Sequence, residues 1–278
     1  MRLSISNIAW SVEEDSSIVE LLHSYNVNAI DIAPGKYFPE PLSTSDIEIA
    51  TVRNWWLEQG IEITGMQALL FGTTGLNMFG SPNSQSEMLR HLDAICRIGA
   101  GLGAKRLVFG SPKNRDRSGL SDKEALDAAG AFFYSLGDIA ARHGVLVCLE
   151  PNPPIYNSNF MTTSAEAAEV VKHTNHQAIK MQLDTGAITL NNEDPTIIIK
   201  NFAHLIGHIH ISEPNLVPLG DGSTDHDSIR LALDSFLPQT LLTIEMLATV
   251  NEPHIVSIKR SLDVAVNKYC NKLADLQR

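Results

Sequence analysis

Gly144-Val145-Leu146-Val147-Cys148-Leu149-Glu150-Pro151-Asn152-Pro153, followed at a short distance by Thr163-Ser164-Ala165-Glu166, is the stretch on which the fold reading turns. A glycine suited to a left-handed helix end precedes a short apolar run rich in β-branched residues. A carboxylate closes that run, and a capping box then opens a segment of helical periodicity. This is one strand–loop–helix unit with a polar residue at the C-terminal end of its strand.

The same order repeats along the chain. Strand-like runs occupy residues 3–9, 27–32, 61–68, 106–109, 145–149, 179–183, 205–211 and 241–246, and helical periodicity fills the intervals and the segment after the last run. Ser84-Gln85-Ser86-Glu87, with Met88, Leu92 and Ile95 behind it, and Ser121-Asp122-Lys123-Glu124 have the capping-box form, and Gly60 stands just past a helical segment as Gly144 does. Eight units in 278 residues leave about 35 residues each, the size of a βα unit with its crossover, and no linker. The expected fold is therefore of the α/β class, a single (β/α)8 TIM barrel over residues 1–278. A doubly wound sheet would show a Gly-rich phosphate turn after its first strand, and Asn7-Ile8-Ala9-Trp10-Ser11 has none. The longer connections, residues 71–83 and 111–120, both follow strands, on the side where active-site loops belong.

Composition narrows the function classes. With 44% hydrophobic residues the chain is not intrinsically disordered. No stretch approaches the roughly 18 consecutive apolar residues of a membrane span, and Met1 to Asp15 lacks the basic and apolar regions of a secretory signal, so a cytoplasmic protein is expected. Lys+Arg 21 against Asp+Glu 32 gives a net charge of −11, which disfavours nucleic acid and anionic membranes as partners. Cys96, Cys148 and Cys270 form no C-x-x-C pair and read as small buried hydrophobes.

In such a barrel the polar residues at strand C-termini face a common mouth. Walking the strands gives Trp10, Asp31 and Gln67, then Glu150, Asp184, His210 and Glu245 from four consecutive strands. Three carboxylates and one imidazole converging on one point would repel unless a cation sat between them. Hard oxygen donors with one His suit Mn²⁺, Mg²⁺, Co²⁺ or a catalytic Zn²⁺, so one divalent metal ion is the expected cofactor. Taken singly, each carboxylate could instead be a solvated rim charge or a helix-capping group.

The motifs Leu149-Glu150-Pro151-Asn152-Pro153, Gln182-Leu183-Asp184-Thr185-Gly186, Gly207-His208-Ile209-His210-Ile211-Ser212-Glu213, Pro218-Leu219-Gly220-Asp221-Gly222 through Asp225, and Thr243-Ile244-Glu245 resemble, in order, those of the xylose-isomerase-like TIM-barrel superfamily of sugar and sugar-phosphate isomerases and epimerases. The ketose 3-epimerase branch holds one divalent metal with Glu, Asp, His and Glu. The resemblance assigns those places to Glu150, Asp184, His210 and Glu245, with Glu150 and Glu245 as acid/base partners across a metal-stabilised enediolate. It implies a small carbohydrate-like substrate and leaves a homo-oligomer open.

Three features depart from the branch. Relatives carry His three residues after the strand-six Asp, where this chain has Ala187. A Glu after the strand-five ligand and an Arg after the strand-seven His have no counterpart in residues 153–156 and 214–217. A different acid, keto or modified-sugar substrate therefore stays open, as do a dehydratase or lyase of the same superfamily and a non-catalytic barrel. Ala187 and the acidic charge weigh against an endonuclease IV-like hydrolase.

Further candidates each have a structural alternative. His208 faces the same way as His210 and is a deeper pocket group or a satisfied interior histidine. Glu213 and Asp225-His226 lie on the loop after strand seven, where substrate contact competes with helix capping. Trp10, Gln67 and Phe71 are candidates for the pocket wall. Lys113, Arg115 and Arg117 could receive a phosphate or be a solvated loop.

Overall fold

The protein is described by a computed structural model over residues 1–270, so the last eight residues of the expected domain lie outside the described part. Strands β1 (Arg2–Ser6), β2 (Ala29–Ile32), β3 (Glu62–Met66), β4 (Arg106–Phe109), β5 (Leu146–Leu149), β6 (Ile179–Asp184), β7 (Ile206–Ser212) and β8 (Leu241–Glu245) form a closed parallel barrel in sequence order, β8 pairing back onto β1. Helices follow the strands: α1 (Asp15–Ser24), α2 (Asp46–Glu58), α3 (Pro82–Leu102), α4 (Asp122–His143), α5 (Ser164–Thr174), the short α6 (Thr185–Leu190) with α7 (Pro195–Phe202), then α8 (His226–Phe236) and α9 (His254–Ala265). This is the single (β/α)8 barrel expected from the repeated unit.

The two-residue period of a strand separates two jobs. On β7, Ile209 and Ile211 turn outward to the helices, while His208, His210 and Ser212 turn inward. Ile5, Ile30, Ile32 and Ile244 are fully buried by the same outward packing. Register sets the inward groups at comparable heights, since Asp184 pairs with His210 and Ser212 with Glu245 across adjacent strands.

Several boundaries differ from expectation for local reasons. β1 stops at Ser6, because the Ser6 hydroxyl accepts the Ile8 N–H and residues 7–9 coil into a 3-10 turn. The third helix starts earlier than the Ser84 box predicts. Ser81 is its N-cap and Pro82 its first residue, leaving the Ser84 hydroxyl to accept from the Asn77 N–H and donate to the Gly75 carbonyl. Ser121 and Glu124 do form the reciprocal box, whereas Glu166 accepts from the Thr162 N–H, one residue ahead of its cap Thr163. Cys96 and Cys148 are buried, but Cys270 is exposed, against expectation. Among the described residues no helix is long and apolar enough to cross a membrane.

Gly144 ends α4 at φ 67°, its N–H reaching the Ala140 and Ala141 carbonyls, and this reversal aims the chain into β5 and toward Glu150. A Cβ there would meet open space, so the cost of Gly144→Ala is conformational, roughly 1–2 kcal/mol. Urea unfolding of the variant should show that loss, and unchanged or higher stability would contradict the left-handed helix end.

Candidate metal centre

Glu150 follows the last residue of β5, Asp184 and Glu245 end β6 and β8, and His210 lies two residues before the end of β7. One donor atom from each lies within 4.8 Å of every other. The set is withdrawn from water, with Glu150 and Glu245 9% exposed, Asp184 7% and His210 0%. His210 Nδ1 is the nitrogen aimed at the carboxylates, 3.1 Å from Glu245 Oε2 and 3.6 Å from Glu150 Oε1.

Neighbouring groups set the angle of each donor. Gln67 Nε2 donates to Glu245 Oε1 at 2.6 Å, and Asn152 Nδ2 to Glu150 Oε2 at 3.2 Å. Asp184 accepts from the Ser212 hydroxyl and from the Ala187 N–H. Arg115, fully buried, donates to the Glu150 carbonyl and to the Asn152 side chain, so the loop carrying Glu150 is tied from behind. Gly110 leaves room in front, since a Cβ there would stand 2.0 Å from Glu150 Oε2.

Beneath the cluster lies a second buried network. Asp31 Oδ2 accepts from His208 Nε2 at 2.5 Å and from the Thr243 hydroxyl at 3.1 Å, while Oδ1 accepts from Thr64 at 2.9 Å. Burial would raise the Asp31 pKa, yet its interactions with His208 and His210 hold it below the usual carboxylate range. Burial lowers the His208 pKa, so the pair is a neutral imidazole donating to a carboxylate. His210 Nε2 points toward this network, 3.9 Å from Asp31 Oδ2.

The electrostatics of the upper cluster fit a divalent cation. Burial, then repulsion from Glu245 and Glu150, pushes the Asp184 carboxyl up to about 8. His210 moves the other way. Against the effect of burial, the Glu245 charge, with the Asp31 and Glu150 carboxylates close by, holds its pKa well above the ordinary value. Glu150 Oε1 is buried without a hydrogen-bond partner and faces the same point. Three carboxylates, one imidazole and no thiolate are a donor set for Mn²⁺, Mg²⁺, Co²⁺ or Zn²⁺.

Two cavities open on the cluster. One of 410 Å³ has Glu150, Asp184 and Glu245 at its floor, with Asn152, Tyr156 and Asn215 beside them. The other, 560 Å³, is lined by Gln67 and Phe71 and shares Glu150 and Glu245.

The remaining candidates fall in different places. His208 sits below the cluster, engaged by Asp31. Trp10 is buried, its indole N–H donating to Asp15 at 2.7 Å, so it braces the first loop from below instead of walling the mouth. Glu213 lines the 410 Å³ cavity, but its carboxylate accepts from the Gly220 and Thr224 N–H groups and meets His226 Nε2 at 3.0 Å. Its charge is thus spent on holding the loop after β7. His226 Nδ1 meets the Tyr269 hydroxyl at 2.6 Å, and Asp225 caps α8. The three basic residues after β4 diverge: Lys113 donates to the Thr73 carbonyl, Arg115 is internal, and Arg117 pairs with Asp122. They do not form a phosphate cradle.

Asn152, Ser212 and Gly110 were not singled out from sequence as parts of the site; Asp31 was named only among the polar residues facing the mouth, and Arg115 only within a basic cluster that could receive a phosphate. Asn152 and Ser212 follow Glu150 and His210 by two residues, a spacing that was readable. Asp31 was readable only as a lone carboxylate inside an apolar strand, because its partner is 177 residues away.

The family model described as xylose isomerase-like TIM barrel matches residues 19–264. Over 172 residues, 56% of this chain in each case, the protein is 26% identical to a putative hydroxypyruvate isomerase of Danio rerio and 21% identical to an inosose dehydratase of Bacillus cereus. It covers 61% and 54% of those proteins, little more than half the length of the curated relatives it matches. Among solved structures, D-psicose 3-epimerase from Clostridium cellulolyticum H10, a complex with D-tagatose, superposes with a TM-score of 0.79 at 18% identity, over 96% of this chain and 99% of that one.

Burial would raise the Glu213 pKa, but hydrogen bonds from His226 and from the Thr224 and Gly220 N–H groups outweigh it and bring it down to about 2, from an ordinary 4.5. A depressed carboxylate stabilises the fold above its unfolded pKa and loses that contribution as pH falls through the folded value. The stability gap between wild type and Glu213→Gln in urea should be full above pH 4.5 and close toward pH 2. A gap constant across that range would contradict the loop-holding role.

Proposed function

The chain belongs to the xylose isomerase-like TIM barrel family, and from that premise we propose that it is a divalent-metal-dependent isomerase or epimerase of a small, carbohydrate-like hydroxy-carbonyl compound. The observation that carries the reading is the convergence of Glu150, Asp184, His210 and Glu245 within 4.8 Å at the floor of an open cavity. These four residues would hold the cation. When bound, such an ion supplies a Lewis acid that polarises the substrate carbonyl and acidifies the neighbouring C–H.

The protein's own groups then handle the proton. Glu150 and Glu245 stand on β5 and β8, and both face the two cavities that meet above them. One removes the proton next to the carbonyl and the other returns it. Return to the opposite face of the same carbon inverts it, and return to the neighbouring carbon moves the carbonyl. Gln67 orients Glu245 through its amide N–H. Asp31 and His208 support His210 from below without reaching the substrate.

A second reading has a specific observation behind it, the likeness to an inosose dehydratase. Dehydration begins with the same proton removal and diverges when a hydroxyl group on the next carbon leaves with its electron pair. Incubation of ketoses, hydroxypyruvate and inososes with the Mn²⁺-loaded protein in D₂O, followed by NMR and mass spectrometry, separates the two. Deuterium in a product of unchanged composition supports the isomerase or epimerase, and loss of water supports the dehydratase. Glu150→Gln and Glu245→Gln should each slow exchange by about 10²–10⁴-fold. No exchange or turnover across the panel would contradict both readings.

A further inference from the structure

We infer that the substrate's hydroxy-carbonyl head is joined to an apolar body, and that the 560 Å³ cleft beside the metal centre is the site of that body, with Phe71 and Leu247 as specificity-determining residues. This rests on the metal-centre reading above and adds the substrate class.

The two cavities share Gly110, Glu150, Leu216, Glu245 and Leu247. The 410 Å³ lobe adds Asn152, Tyr156 and Asn215 beside the carboxylates, together with Pro112, Pro151 and Pro153. The 560 Å³ lobe begins at the same Glu150 and Glu245 and runs outward between Ile8, Leu69, Leu70, Phe71, Phe109 and Leu247. Most of the polar side chains along it are committed within the protein. Lys113 donates to the Thr73 carbonyl at 2.9 Å, and the Ser111 hydroxyl donates to Asn114 Oδ1 at 2.6 Å. Gln67 Oε1 and Glu150 Oε1 are the lobe's buried side-chain oxygens without a partner among the described residues, and both belong to its head end beside Glu245. A chain of sugar hydroxyls laid along this lobe would lose hydrogen bonds to water and find few in return, whereas an aliphatic or aromatic group would lose none.

Two further observations point the same way. Phe71 is 85% exposed and Leu247 51% exposed, so the cleft ends in uncovered apolar side chains continuous with its walls. The backbone is also held in an unfavourable shape here. Ala68 at φ 55°, Asn215 at φ 60° and Leu216 at φ 53° are non-glycine residues in the left-handed region, all at the mouth. Leu216 borders both lobes, fixed by its N–H to the Glu213 carbonyl and by its carbonyl accepting from the Leu247 N–H at 2.9 Å. Conformations of this kind persist where the surroundings over-determine them, typically at ligand clamps.

The test uses three α-hydroxy acids that present the same chelating head with different bodies: lactate with a methyl group, mandelate with a phenyl ring, and erythronate with a hydroxylated chain. Their affinities for the Mn²⁺-loaded protein are read by calorimetry and by water-proton relaxation at the bound Mn²⁺, neither of which needs turnover. Mandelate should bind at least about tenfold more tightly than lactate or erythronate, the scale on which an apolar pocket discriminates. In Phe71→Ser and Leu247→Ser, both exposed positions whose variants should still take up Mn²⁺, the mandelate-to-lactate ratio should fall to about threefold or less. Equal binding of mandelate and lactate, preference for erythronate, or a ratio unmoved in both variants would overturn the inference and leave the metal centre standing. If Mn²⁺ binds and none of the three perturbs it, this inference fails and the metal centre stands; if no Mn²⁺ binds, the metal-centre reading fails and this inference fails with it.

Discussion

Mutual repulsion among Glu150, Asp184 and Glu245 is the constraint around which the mouth of this barrel is organised. At separations of 4.8 Å or less, two like charges cost roughly 3–4 kcal/mol at an effective dielectric near 20. Left to themselves, the groups respond as electrostatics requires: Asp184 keeps its proton to about 8, and His210 is favoured as a cation. A divalent ion would relieve all three contacts at once, with the same donors that repel one another as its ligands.

The rest of the structure holds those donors where they repel. Amides from Gln67 and Asn152 and the hydroxyl of Ser212 fix the carboxylate angles, and Arg115 secures the loop behind Glu150. Asp31, with His208, Thr64 and Thr243 around it, fills the barrel below and presents a carboxylate toward the far nitrogen of His210. A carboxylate behind a metal-binding imidazole fixes the ring's orientation and raises its basicity. Asn152, Tyr156 and Asn215 stand beside the carboxylates, and apolar side chains line both cavities above a charged floor. That combination directs attention to the body of the substrate as much as to its reactive carbons.

Much of this was legible in the sequence, because it depends on short-range periodicity. The eight strands follow from apolar runs, and the four residues around the cluster from their positions at strand ends. Errors arose where a local signal had two solutions. Ser84 looks like a helix cap, but Ser81 followed by Pro82 is a better one, and the Ser84 hydroxyl goes to a loop instead. Trp10 stands after a strand as a pocket residue would, yet Asp15, five residues on, takes its N–H. Glu213 and Arg115 have the chemistry of substrate-reading groups, but Glu213 accepts from the loop after β7 and Arg115 donates to the Glu150 carbonyl and Asn152. Least legible were contacts made only by barrel closure, such as Asp31 with His208 and the clearance Gly110 gives Glu150.

The central claim is that one divalent ion belongs at this cluster, held by all four residues. Titration of the chelator-treated protein with Mn²⁺, followed by electron paramagnetic resonance, tests it directly. The account predicts one tight site per chain in the wild type and loss of that site in Asp184→Ala, with the variant still folded by circular dichroism. Equal stoichiometry in the two proteins, or no tight site in the wild type, would contradict it.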